Sequence, residues 1–310
     1  MSVATVLQGA GHPARPPGAV ASGPTTSRGS HRRLLVPGLL YLGVFFLLPV
    51  GALLATSLYA PLPGGELGQY TPALRWQNYP EALAQFWPQL LRSFAFAAAA
   101  TLAALVLGYP MAYVIAVRAR GRPALQALLV VLVVAPFFTS FILRTIAWKQ
   151  ILADGGPVVA ALRWVHLLPP DGRVSATSAA VVVGLTYSFL PFMVLPLFAS
   201  LERLDPRLLE AGADLYATPP TTFRRVTLPL SMPGVVAGTL LTFIPAVGDY
   251  VNSSLLGNST TTVMVGQVVD ARFFRVLDYP TAAVLSVALM VSVVLLVSAY
   301  VRRAGTEDLL

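Results

Sequence analysis

The sequence predicts an all-α, polytopic membrane protein of six transmembrane helices, on the strength of its composition, the spacing of its apolar runs and the side on which its arginines gather. Of 310 residues, 56% are hydrophobic and only 11% charged, and the mean hydropathy is +0.71, so lipid is the expected solvent for most of the surface. Six uncharged windows follow one another at 34–58, 93–117, 124–143, 174–201, 226–248 and 279–301. Each reaches the roughly 20 residues that, at about 1.5 Å rise, cross a hydrocarbon core of about 30 Å.

Ahead of the first window, residues 1–33 are rich in Gly, Pro, Ala, Ser and Thr and carry Arg15, Arg28, Arg32 and Arg33 with no acid. Such a composition cannot bury a core and is expected to form a basic, disordered tail. The run that follows is too long for a signal-peptide core and lacks a small-residue cleavage site, so it reads as a retained first span. Several windows contain proline (Pro49, Pro110, Pro136, Pro191, Pro196, Pro245). Membrane helices tolerate it where neighbours satisfy the freed carbonyls.

Arginines set the orientation, because Lys and Arg accumulate in cytoplasmic connections near span ends. The tail, the turn Arg118-Ala-Arg120-Gly-Arg122, the connection 202–225 and the pair Arg302-Arg303 together hold thirteen of the 21 basic residues. Both termini are therefore expected in the cytoplasm. The segments 59–92, 144–173 and 249–278 are then external, residues 34–303 form the transmembrane domain, and 304–310 are a short C-terminal tail.

Several function classes are disfavoured. The net charge of +8 lies in short gaps between apolar runs, which does not make a nucleic-acid-binding face. With no Cys there is no disulfide or thiolate metal site. His12, His31 and His166 have no ligand spacing, so no metal is expected. No Gly-rich phosphate loop is present, so no cofactor is expected and ATP is not bound by this chain. The windows contain no acid or His to couple an ion, which counts against an ion-coupled secondary transporter, and no constellation suited to a membrane enzyme.

The connection 202–230 is the most informative stretch. It contains Asp205-Pro206 and Thr218-Pro219, each an N-cap acceptor followed by proline at the first helical position. Two short helices joined by a turn at 215–217 are expected, with Leu208, Leu209 and Leu215 as an apolar stripe and Glu210 and Asp214 one turn apart on a shared face. On these features alone the segment is an amphipathic interfacial connector or a docking element.

The order Glu210-Ala-Gly-Ala-Asp-Leu, then Phe223-Arg-Arg-Val-Thr-Leu-Pro-Leu, then Met232-Pro-Gly, resembles the "EAA" loop of the permease subunits of binding-protein-dependent ABC importers. It falls where that family has it, between the fourth and fifth of six spans. The resemblance implies the type I ABC importer permease fold, with this loop as the coupling helix that docks on an ATPase. By position Glu210, Ala211, Gly212, Ala213, Asp214, Leu215 and Tyr216 would be the coupling residues. The family usually has Ala at Gly212 and Gly at Tyr216. Gly takes a left-handed turn at no steric cost, so Tyr216 implies either a remodelled turn or a ring that packs against the ATPase. The partners implied are an ABC ATPase dimer, a second permease subunit, an extracytoplasmic substrate-binding protein and the lipid bilayer of the bacterial inner membrane.

Two further segments, Ala135-Pro-Phe-Phe-Thr-Ser-Phe-Ile-Leu-Arg-Thr-Ile-Ala-Trp148 and Tyr187-Ser-Phe-Leu-Pro-Phe-Met-Val-Leu-Pro196, resemble the spermidine/putrescine branch, as does the stretch from Phe243 to Val251. That implies a polyamine as the transported solute, with another small solute as the alternative. Asp249, after Pro245 and Gly248, is either an acid on the substrate path or the solvated external end of span five. Tyr187, Phe137 and Trp148, with their aromatic neighbours, either line a cation path through their ring faces or serve as packing. Arg144 either snorkels to the interface or pairs with a nearby acid.

Overall fold

The computed structural model describes residues 36–304. The tail expected over 1–33, the start of the first window at Leu34 and residues 305–310 lie outside the described residues. The chain divides into two compact units, Met1–Gly51 and Ala52–Leu310. The first is represented by helix α1 (Val36–Thr56), which carries a π-helical turn at Gly43–Leu47 and runs on into the second.

In the second unit a small antiparallel ribbon pairs Ala60 with Thr71 and Pro61 with Tyr70. Helix α2 (Asn78–Arg118) has 41 residues, or about 62 Å at 1.5 Å per residue. It begins well before residue 93, so 78–92 are helical and the expected external connection 59–92 is shorter than the sequence suggested. The charge that closed the sequence window, Arg92, lies inside the helix and donates to the carbonyls of Val263 at 3.1 Å and Thr260 at 3.5 Å. A charge need not end a helix when another segment supplies its acceptors. At the start of α2, Asn78 Nδ2 donates to the carbonyls of Ser57 and Tyr59, both at 2.9 Å. Glu81 in the first turn faces the positive helix end and pairs with Arg75 at 3.2 Å.

Spans three and five are not single straight helices, which corrects the reading of 124–143 and 226–248 as windows that each cross alone. Helices α3 (Pro123–Phe138) and α4 (Phe141–Ile151) meet at 97°. Pro136 removes a backbone donor, the chain tightens to a 3-10 turn over Ala135–Phe138, and Thr139 is extended at φ −108°, ψ 153°. The N–H and Oγ1 of Thr139 both donate to the Pro136 carbonyl, at 3.2 and 2.8 Å, so the break satisfies that acceptor internally. After helix α5 (Pro157–Trp164), helix α6 (Ser178–Glu202) starts on Thr177, whose Oγ1 accepts the Ala180 N–H at 3.2 Å. It keeps Pro191 and Pro196 within one helix. The short α7 (Pro206–Asp214) precedes α8 (Pro219–Leu230) and α9 (Met232–Val247), which meet at 66° across Ser231. Helices α10 (Val251–Leu256), α11 (Val265–Ala271) and α12 (Tyr279–Ala304) complete the described chain. Four helices, α1, α2, α6 and α12, are each long and apolar enough to cross a membrane, and there are six spans when each bent pair counts as one.

The core lies where α6 meets α2 and α9, and its centre is Met193, Leu197 and Leu201, all fully buried. Gly234 and Gly238 in α9 make this closeness possible. A Cβ on Gly234 would lie 2.8 Å from the Pro196 carbonyl oxygen, and one on Gly238 would lie 2.9 Å from Met193 Sδ and 3.1 Å from its carbonyl oxygen. Two small residues four apart let helix backbones approach without a hydrophobic driving force between them. Gly238→Val is expected to overpack this contact by about 1–3 kcal/mol and to lower the melting temperature of the purified protein, whereas Gly121→Ala, with nothing within 4 Å of the added methyl, should leave it unchanged. Equal melting temperatures would contradict the assignment of α6–α9 packing to this pair of glycines.

Candidate functional site

The connection between α6 and α9 is anchored at both ends. Arg120, in the turn after α2, donates Nη1 to the Leu204 carbonyl at 2.9 Å and Nη2 to those of Leu201 at 3.2 Å and Glu202 at 2.6 Å. It thereby adds a donor to the carbonyls at the C-terminal end of α6, of which that of Leu201 also accepts the Leu204 N–H at 3.2 Å. In the sequence, Arg120 contributes only to the count of cytoplasmic charge; nothing local marks its partners, which are more than 80 residues away. At the other end, the Tyr109 and Ser231 hydroxyls share a hydrogen bond of 2.7 Å that ties the α8–α9 bend to α2.

Between these anchors the two expected helices are present. Asp205 Oδ1 accepts the Arg207 N–H at 3.0 Å and Pro206 opens α7. Pro219 opens α8, where the Thr218 carbonyl accepts from Thr221 at 2.8 Å and Thr222 at 3.0 Å, but the Thr218 hydroxyl does not cap the backbone as expected, because it shares a hydrogen bond of 2.9 Å with the Thr221 hydroxyl instead. The turn between them closes in the Schellman manner, with the Ala217 N–H on the Gly212 carbonyl at 3.0 Å and Tyr216 left-handed at φ +56°. The turn is therefore not remodelled: Tyr216 takes the conformation that Gly would take freely, at a cost of about 1–2 kcal/mol. Gly212 has a reason of its own, since a Cβ there would lie 3.1 Å from Thr222 Oγ1 and 3.2 Å from its Cγ2. Of the predicted coupling residues, Glu210, Ala211 and Asp214 are exposed on α7, Gly212 is half-buried, and Ala213 lies within the same helix. Leu215 is 80% and Tyr216 96% exposed. In the expected apolar stripe, Leu209 is half-buried and Leu208 is exposed along a groove of about 460 Å³ that also touches Leu204, Leu230 and Pro233.

The predicted path residues lie in two places. Trp148 of α4 and Tyr187 of α6 stack edge to face with centroids 5.2 Å apart, and Phe137 of α3 lies 5.0 Å from Phe192 of α6. These rings join the broken third span to the fourth. Arg144 neither snorkels freely nor pairs with an acid among the described residues: its guanidinium lies 5.9 Å from the Phe137 ring and 5.6 Å from that of Phe141, and its Nε and Nη1 are buried without a partner. Asp249 is not a solvated span end. It is buried, with Oδ1 accepting the Asn252 N–H at 2.7 Å and Oδ2 accepting from Asn252 Nδ2 at 3.2 Å, so it caps α10 directly after α9 breaks at Gly248. Asn252 itself is fully buried, a partner that the sequence alone did not identify.

Residues 104–304 match the family model described as binding-protein-dependent transport system inner membrane component. The chain is 39% identical over 220 residues to the spermidine/putrescine transport system permease protein PotB of Escherichia coli (strain K12), covering 71% of this chain and 78% of the relative. It is 34% identical over 270 residues to the protein of the same description from Haemophilus influenzae, covering 87% and 88%. A crystal structure of a bacterial ABC transporter involved in the import of the acidic polysaccharide alginate contains a chain similar in fold, with a TM-score of 0.62 at 15% identity over 89% of this chain and 95% of that one.

The cap at Asp249 separates its structural part from its charge. Asn caps as well as Asp does, and Ala does not. Asp249→Ala is expected to destabilise the protein by about 1 kcal/mol and Asp249→Asn by a few tenths at most, as read from thermal unfolding in detergent. If the two variants melt alike, the carboxylate is not acting as a cap.

Proposed function

This chain belongs to the binding-protein-dependent transport system inner membrane components, and from that premise we propose that the rigidly anchored loop carrying α7 and α8 couples it to an ABC ATPase. The protein is a multi-pass permease of the inner membrane with the fold of ABC importer permeases. We place the loop and both termini in the cytoplasm, in keeping with the arginine distribution. Two ATPase subunits would dock there, a second permease subunit would complete the path, and a substrate-binding protein would deliver the solute on the opposite side. Hydrolysis belongs to the ATPase, and this chain contributes no catalytic group.

The observation that carries this reading is the double anchoring of the loop. Arg120 fixes its entry to the end of α6 and Ser231 fixes its exit to α2, so a displacement imposed at α7 is passed to two packed spans rather than absorbed by a slack connection. Glu210 and Asp214 present an exposed acidic face suited to basic groups on the partner. Reversing both charges, Glu210→Lys with Asp214→Lys, is expected to cut recovery of the ATPase with the permease about tenfold. Full recovery together with normal uptake would remove the coupling role.

For the solute we propose a polyamine, because the relatives described above are named for spermidine and putrescine. The half-buried aromatic rings of α3, α4 and α6 are of a kind that suits a cation, and the cap at Asp249 places an acid where a span breaks. Cells carrying the whole transporter should accumulate labelled putrescine and spermidine, and cells lacking this chain should not. Uptake that is unaffected by loss of the chain, or that excess unlabelled amine does not compete, would return the solute to another small molecule.

A further inference from the structure

We propose that Tyr216, with Leu215 beside it, is an apolar anchor that inserts into a pocket of the ATPase and makes this permease selective for its own ATPase subunit. The inference rests on the coupling reading above and specifies the surface through which it acts. Within the chain itself, Tyr216 serves no purpose that Gly would not serve better. Its backbone is held left-handed at φ +56°, a conformation that L side chains adopt at a cost, and 96% of its surface is free. That exposure exceeds that of any other large apolar or aromatic side chain among the described residues. His166, Ala176 and Leu277 are left-handed too, so it is the strain together with the exposure of a whole aromatic ring that points to an external contact.

The surroundings define the partner. Tyr216 and Leu215 stand at the apex of the loop, and Glu210 and Asp214 are exposed on the helix that leads to them. A central aromatic anchor bordered by charges is the arrangement in which interface energy concentrates, the anchor supplying affinity and the rim supplying orientation. The complementary surface is an apolar depression with basic residues at its edge. A bilayer is the rival occupant, since the same connection carries Arg203, Arg207, Arg224 and Arg225, and it is an outcome of the test below. The turn is also stiff enough to deliver a ring to one place. The Ala217–Gly212 hydrogen bond closes it, and Thr222 packs against the bare face of Gly212. Little conformational freedom remains to be lost when the ring docks. An ATPase that serves a permease with Gly at this position needs no such pocket, and on this basis it should be a poor partner here.

The test exploits the fact that Gly is the better turn residue. Tyr216→Gly relaxes the backbone and removes only the side chain, so weakened docking cannot come from a damaged loop. With the purified permease pair in nanodiscs and the ATPase subunit titrated in, Tyr216→Gly is expected to raise the apparent Kd for the ATPase at least tenfold, and Tyr216→Phe less than threefold. An unchanged Kd for Tyr216→Gly overturns the anchor, and if a bimane label on Tyr216→Cys, the one thiol of a chain that has no Cys of its own, is quenched by doxyl lipid, the ring belongs to the bilayer. The charge-reversed Glu210/Asp214 variant, run in parallel, separates the two levels. Loss of ATPase binding there with none in Tyr216→Gly sinks the anchor alone, and failure of the wild type to bind the ATPase sinks the coupling reading with it.

Discussion

The contact of α6 with α9 across Gly234 and Gly238 is the constraint on which the rest of the molecule depends. These two spans flank the loop carrying α7 and α8, so the distance between its stems is set by how closely their backbones approach. Side chains of ordinary size at either glycine would push α9 away from Met193 and the Pro196 carbonyl. Between two helices already surrounded by apolar groups, association comes from dispersion and fit rather than from expelling water. A fraction of an ångström at this crossing therefore carries more consequence than it would on a soluble surface. Arg120 and the Ser231–Tyr109 pair then fix the loop to this packed unit.

The same requirement explains where the helices break. In hydrocarbon a backbone carbonyl or N–H cannot turn to water, so each interruption has to bring its own hydrogen-bond partner. At the third span Thr139 supplies two donors to the Pro136 carbonyl. After the fifth, Asp249 receives the N–H that begins α10. Ser231 returns its hydroxyl to the Leu228 carbonyl while sharing it with Tyr109. Proline alone is not sufficient for a break: Pro191 and Pro196 lie in an uninterrupted α6 and Pro245 within α9. What distinguishes Pro136 and the Ser231 region is a polar side chain placed to support the bent conformation.

That distinction marks how far the sequence could be read. Hydropathy found every apolar segment, because length and composition are local properties. It located the ends badly, because an end depends on partners distant in the chain. Arg92 was taken as a boundary when its acceptors, at residues 260 and 263, were not visible. The bends at 97° and 66° were likewise hidden, since a window average does not see a local donor. In the loop, both helix starts were legible from Asp205-Pro206 and Thr218-Pro219, where the chemistry is contained within a few residues. The purpose of Gly212 was not, because Thr222 meets it only after the turn is closed. Asp249 stands out in the sequence as an acid after Pro245 and Gly248, but its burial and its bond to Asn252 require the fold.

Tyr216 joins these levels in one residue. A left-handed non-glycine is ordinarily avoided because the unfavourable backbone is felt in every state of the protein, bound or free. Here the free chain recovers nothing, since the ring is open to solvent. The turn geometry, in contrast, is overdetermined: the Schellman hydrogen bond, the capped α7 and the close seat of Thr222 would hold it for Gly as well. Conformation and side chain are thus separable here. The conformation follows from how α7 must hand over to α8 between two fixed anchors, and the identity of the side chain follows from what lies beyond the loop.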